Sequence, residues 1–161
     1  MALSKTSFSK TIRAFSLIEI VLSVAMLAIL AVSGYDVLRQ SLQTAELARQ
    51  FTLAELMAHD LIELTTSKRN EDWNSLAAGT FHFAEDPVEG FIFVPGTETV
   101  DQFTRSIVLE QGQRGGQGQL VASGGTPDPE TYIIDATVTW EYGGQPREVS
   151  FQQVLTNWKN F

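Results

Sequence analysis

The stretch "RAFSLIEIVLSVAMLAILAVSGY", Arg13 to Tyr35, decides how this chain is read. Between Phe15 and Tyr35 lie 21 residues with a single charged side chain, Glu19. At about 1.5 Å per residue a helix of that length covers a hydrocarbon core of roughly 30 Å. A carboxylate in hydrocarbon costs several kcal/mol unless it is neutral, reaches the headgroups or meets a cation. Glu19 is therefore the residue that any account of the run must explain.

The flanks give a direction. Lys5, Lys10 and Arg13 precede the run, and every acidic residue follows Arg13. Basic flanks stay on the cytoplasmic side, which places residues 1–14 inside and the acidic remainder outside. From Phe15 onward 8 basic residues face 19 acidic ones, a net charge of −11. That balance argues against direct nucleic-acid binding, because phosphate recognition needs a basic face. At 161 residues the chain holds about one modest core. Cysteine is absent, which removes disulfides, thiolate metal sites and thiol nucleophiles from consideration.

Three processing states fit the run. A secretory signal has a shorter core of about 7–15 residues, with Ala31 and Ser33 here as the small residues before a cut near Gly34 or Tyr35. A plain single-pass anchor, carrying an extracytoplasmic binding module that does not polymerise, fits the length and leaves Glu19 to reach the headgroups. The third is an anchor cut at its cytoplasmic end.

Beyond Tyr35 the helical period continues without a proline before residue 87. Leu38, Leu42, Ala45, Ala48, Phe51, Ala54, Met57, Leu61 and Leu64 recur at steps of three and four, giving one apolar face. A helix from Phe15 to about Thr66 would reach about 78 Å. Gly34, at the join, predicts either a bend or a close helix contact, since glycine costs a helix about 1 kcal/mol relative to alanine. His59 and Glu63 share a helical face beside Asp60, but the second histidine of a metalloprotease motif is missing, so they read as a solvated face.

From Thr80 the period becomes two. Tyr132, Ile134, Ala136, Val138, Trp140 and Tyr142 alternate with polar residues, Gly143 and Gly144 offer a turn, and "PREVSFQQVL" supplies a second alternating run, so the pair predicts a hairpin. "TFHFA", "GFIFV" and "TRSIVLEQ" predict further strands, with His82 on one strand face rather than acting as a base. "QGQRGGQGQLVASGGTPDPET", residues 111–131, predicts a mobile surface loop. Asp101, Asp128 and Glu130 lack the spacing of a calcium loop. No nucleophile elbow, phosphate loop or zinc motif is present, so the chain reads as a non-enzyme without a catalytic residue, metal or cofactor.

The residues "AFSLIEIVLSVAMLAIL", after a short basic leader, resemble the N-terminal segment of type IV prepilins and of the pseudopilins of type II secretion. The resemblance implies that a prepilin peptidase cuts between Ala14 and Phe15 and methylates the new amine on Phe15. The family usually carries glycine where this chain has Ala14, a residue that is also small. It further implies that Glu19 pairs with the Phe15 amine of a neighbouring subunit, each neutralising the other and fixing the axial stagger. The stretches "TAELARQFTLAELMAHDLIEL" and "VTWEYGGQPREVSFQQVL" are similar to the I-type minor pseudopilins and the minor pilins that resemble them, which implies a subunit at the filament tip that starts assembly.

The expected fold is α+β: a long N-terminal α-helix packed on a small antiparallel β-sheet, the pilin-like arrangement. The expected organisation is a removed leader over 1–14, a membrane half of the helix over 15–35, an amphipathic half over 36–66 and a β-rich domain over 67–161. Implied partners are the peptidase, other pilins or pseudopilins met through the helix, an inner-membrane assembly platform and membrane lipid. The implied location is the bacterial inner membrane with the C-terminal domain outside, then a periplasmic or surface filament.

Overall fold

The computed structural model describes residues 16–88 and 90–158. It contains a helix α1 (Leu17–Glu71), a short 3-10 turn (Trp73–Ser75) and strands β1 (Gly79–Asp86), β2 (Gly90–Pro95), β3 (Glu98–Val100), β4 (Phe103–Arg114), β5 (Leu120–Val121), β6 (Thr126–Tyr142) and β7 (Gln145–Thr156). This is the expected α+β arrangement of one long helix and an antiparallel sheet. The chain divides into two compact units between Ala45 and Glu46, taken here in turn.

The first unit is helical throughout its described part. The helix begins where the Ser16 carbonyl accepts from the backbone amides of Glu19 (2.9 Å) and Ile20 (3.2 Å). Its large apolar side chains from Leu17 to Val32 are all exposed, from 80% for Leu17 to 52% for Ile20. Removing each from water is worth on the order of 1.5–3 kcal/mol, so this surface calls for an apolar surrounding. By length and composition α1 is long and apolar enough to cross a membrane, as an anchor or a signal would be. The two serines of its apolar stretch leave no stray donor, because Ser23 Oγ donates to the Glu19 carbonyl (2.7 Å) and Ser33 Oγ to the Ile29 carbonyl (2.9 Å). Gly34 lies inside the helix with open space where a Cβ would stand. It produces no break in the helix.

In the second unit the sheet runs β2-β1-β4-β6-β7, with the short β3 and β5 also paired to β4. One row of directly opposed residues crosses it: Pro95, Phe81, Ile107, Ala136 and Phe151. Opposed residues share a face, so this row and its neighbours two positions along form the inner side. Phe83, Phe103, Leu109, Ile134, Val138, Trp140 and Leu155 join it, and α1 covers it with Ala54, Ala58 and Leu61. The helical seam is Gln50, Ala54, Ala58, Leu61 and Thr65, at steps of four, four, three and four. Two small alanines at its centre let the helix approach the sheet closely. The polar ends are satisfied: Trp140 Nε1 donates to Gln50 Oε1 at 3.0 Å, and Thr65 Oγ1 donates to the Leu61 carbonyl at 2.7 Å. Trp140 is held from the sides by Phe51, edge-on at 4.9 Å, and Phe103 at 5.5 Å.

Two expectations are corrected. The helix runs to Glu71, not Thr66; Lys68 pairs with Glu71 at 2.9 Å, and Lys68 and Arg69 sit in the last turn, where cations oppose the helix dipole. Most of the expected loop over 111–131 is strand: β4 extends to Arg114, β5 holds Leu120 and Val121, and β6 begins at Thr126. Gly112 explains how. A Cβ there would lie 2.7 Å from Thr131 Cγ2, and the register shifts between Gln111 and Gln113, so glycine lets β4 pass close to a bulged β6.

The β6–β7 hairpin stands as expected. Tyr142 pairs with Gln145 across Gly143 and Gly144, whose φ values of 62° and 73° belong to the tight turn that suits twisted strands.

Candidate functional site

Glu19 is the third residue of α1 and an acid in its first turn. The unpaired amides of a helix start carry partial positive charge, so a carboxylate is better tolerated there than anywhere else in the apolar stretch. Its side chain is exposed, and among the described residues no cation or donor partners it. No other acid or base appears until Asp36. The site is thus a single carboxylate at one end of an exposed apolar rod. Chemically, the described residues of the site can bind one cationic group. Ala14 and Phe15, the residues of the expected cut and methylation, lie outside the described residues.

Of the residues considered for metal or catalytic roles, His59 and Asp128 are engaged in other contacts. His59 stacks on Phe151 with ring centroids 4.6 Å apart and planes 29° from parallel. His82 sits on β1 opposite Val94, on the other face from the core residues Phe81 and Phe83. Asp101 takes a positive φ of 54° in the turn joining β3 to β4, a conformation aspartate tolerates. Among the described residues no group of three His, Cys, Asp or Glu is placed to hold a metal ion.

Asp128 accepts three hydrogen bonds. It accepts from Thr131 Oγ1 (2.7 Å), from Arg114 Nε (2.8 Å) and from the Glu130 amide (3.0 Å). Arg114 also reaches the Gly118 carbonyl (3.0 Å) and Thr131 Oγ1 (3.2 Å), so the guanidinium ties β4 to the bulge of β6. The Thr131 hydroxyl first, and the Arg114 guanidinium second, hold the Asp128 carboxyl below its ordinary 3.8. Its lone pairs serve this clamp rather than a calcium ion. Composition hid the network, since "GGQGQ" and "TPDPET" look like solvent-facing turns; the one sequence signal was an arginine standing alone among neutral residues from Gln111 to Pro127.

Comparison of the chain with protein-family models, with curated proteins and with solved structures gives no match.

Proposed function

We propose that the chain is a structural subunit of a type IV pilus-like or type II secretion filament, made as a membrane-anchored precursor. Its exterior domain stands outside the cytoplasm, and its helix leaves the bilayer to pack among copies or homologous subunits. The single observation that carries this reading is the lone carboxylate of Glu19, without a partner among the described residues, in the first turn of an exposed apolar helix. A plain anchor has no use for that acid. A bundle of staggered helices does, because the carboxylate of one subunit then meets the amine that cleavage before Phe15 would create on the next. Each charge is costly alone in hydrocarbon and is compensated only in register.

Several other features support the same reading. The basic leader orients the helix. The helix continues through Gly34 into a face that binds the sheet, so the domain and the assembling rod share one element of secondary structure. The resemblance to I-type minor pseudopilins favours a tip subunit that initiates assembly over the bulk subunit. Its work is mechanical: it is inserted, cleaved, methylated at Phe15 and lifted by an assembly platform.

The experiment is Glu19→Ala in a reconstituted assembly system with the partner subunits and the platform. Membrane insertion, read by alkali-resistant sedimentation with membranes, should be unchanged, while incorporation into sheared filaments should fall sharply. Normal incorporation of the variant would sink the proposal, and Glu19→Asp should recover part of the loss.

A further inference from the structure

A cavity of about 470 Å³ lies in the second unit between α1 and the β1–β2 hairpin, lined by Asp60, Glu63, Leu64, Ser67, Phe83, Phe91 and Arg105. Its volume is in the range of pockets that take a side chain and its neighbours. Asp60, Glu63 and Leu64 come from one face of the helix, at steps of three and four. Phe83 and Phe91 come from paired strands, and Arg105 from β4.

The charges in it do not cancel. Arg105 is already matched, its Nη2 and Nε standing 2.7 Å and 2.8 Å from Glu98 Oε2. Asp60 and Glu63 have no hydrogen-bond or ion-pair partner among the described residues. The cavity therefore presents two uncompensated carboxylates over apolar walls of Leu64, Phe83 and Phe91. That combination matches a long basic side chain, whose methylene stem lies on apolar surface while its head meets carboxylate. The surrounding domain, strongly acidic overall, repels an anion and attracts this cation.

Exposed apolar side chains on the helix and hairpin that form the cavity favour a cation attached to a polypeptide. Phe91 is 46% exposed, Val88 at the turn of the same hairpin is 90% exposed, and Leu56, one helical turn before Asp60, is 56% exposed. A free small cation would leave all three in water. Among the described residues no third His, Cys, Asp or Glu joins the two carboxylates to hold a metal ion, and the Arg105 guanidinium in the same lining disfavours one.

We infer that this cavity receives a lysine or arginine side chain of a partner protein, with an adjoining apolar residue of that partner covering Phe91, Val88 or Leu56. The site lies on the exterior domain and stands whether or not Glu19 and Phe15 serve filament assembly.

The test uses the full chain in lipid nanodiscs, with methyl resonances of Leu64 followed by NMR during titration with capped tripeptides. The probes are leucine-arginine-leucine, the same peptide with neutral citrulline, the same with glutamate, and methylguanidinium alone. The expected result is a saturable Leu64 shift for the arginine peptide, at least about tenfold tighter than for citrulline and absent for glutamate. The advantage should shrink as salt rises from about 0.1 M to about 1 M. Asp60→Asn with Glu63→Gln should reduce the arginine peptide to the citrulline level; both side chains are exposed, so the fold is unaffected. Equal affinity for arginine and citrulline peptides, no response at Leu64, or full affinity in the double variant would each overturn the inference. Methylguanidinium binding as tightly as the peptide would overturn it too, by showing a small-cation site.

Discussion

The bond between Trp140 Nε1 and Gln50 Oε1 predicts a measurable coupling between helix and sheet. Gln50 is 6% exposed and Trp140 5%, so neither group can turn to water when its partner is removed. Gln50→Leu keeps the volume and leaves a buried indole donor unpaired, a loss of about 1–3 kcal/mol. Trp140→Phe leaves the Gln50 oxygen unpaired and also removes ring area against Phe51 and Phe103, for about 2–4 kcal/mol in all. The double variant has no buried orphan, so it should lose less than the sum of the two, with a coupling of about 1–2 kcal/mol. The second hydrogen bond of Gln50, from Nε2 to Glu46 Oε1 at 3.2 Å, is lost in both proteins that carry Gln50→Leu and cancels from the cycle. The assay is urea unfolding of the full chain in micelles, followed by the β-sheet signal in circular dichroism for the four proteins. Additive losses, within about 0.4 kcal/mol, would refute the claim that this bond joins α1 to the sheet.

Two other substitutions probe the bulge of β6. Gly112→Ala should destabilise the domain by about 1–3 kcal/mol, because the new methyl meets a Thr131 side chain that is buried and held by Asp128 and Arg114; adding Thr131→Ser should recover part of it, and an unchanged melting temperature for Gly112→Ala alone would contradict the close approach. For Asp128 the folded carboxyl titrates below its ordinary 3.8, so the stability it contributes is present above that value and is lost as pH falls through the lower folded value. Asp128→Asn should therefore flatten the acid limb of a stability-versus-pH curve below 3.8 while lowering stability at neutral pH, and an identical acid limb in the variant would rule out the clamp.

Much of the fold was legible because burial on one face leaves a period in the sequence. Ile134, Ala136, Val138 and Trp140 are buried in alternation, as the strand reading requires, and the glycine pair after Tyr142 marked the turn. The misreadings share a cause: they fall where backbone pairing or polar burial, rather than apolar side chains, carries the structure. Gln111 to Arg114 and Thr126 to Thr131 have little to bury, yet their backbones pair and an arginine-aspartate clamp locks them. Gln50 and Thr65 lie in the buried seam although both are polar, because each finds an internal partner. The end of α1 was hidden for a related reason, as "SKRNE" offers charges that suit a helix C-terminus but no apolar residue to mark the period. At the candidate site, Glu19 was legible because a lone acid in an apolar run conflicts with its surroundings. Asp60 and Glu63 are exposed, as a solvated helix face requires; their place beside Phe83, Phe91 and Arg105 depends on strands distant in sequence and leaves no local pattern.

The central claim, that this helix belongs to a processed filament subunit, is tested most directly by the intact mass and N-terminal sequence of the mature protein, expressed with and without a prepilin peptidase. The account predicts a chain beginning at N-methylated Phe15 when the enzyme is present and at Met1 when it is absent. A start at Met1 in both cases would leave a plain anchor, and a start near Gly34 or Tyr35 would mean a cleaved secretory signal; either would contradict the account.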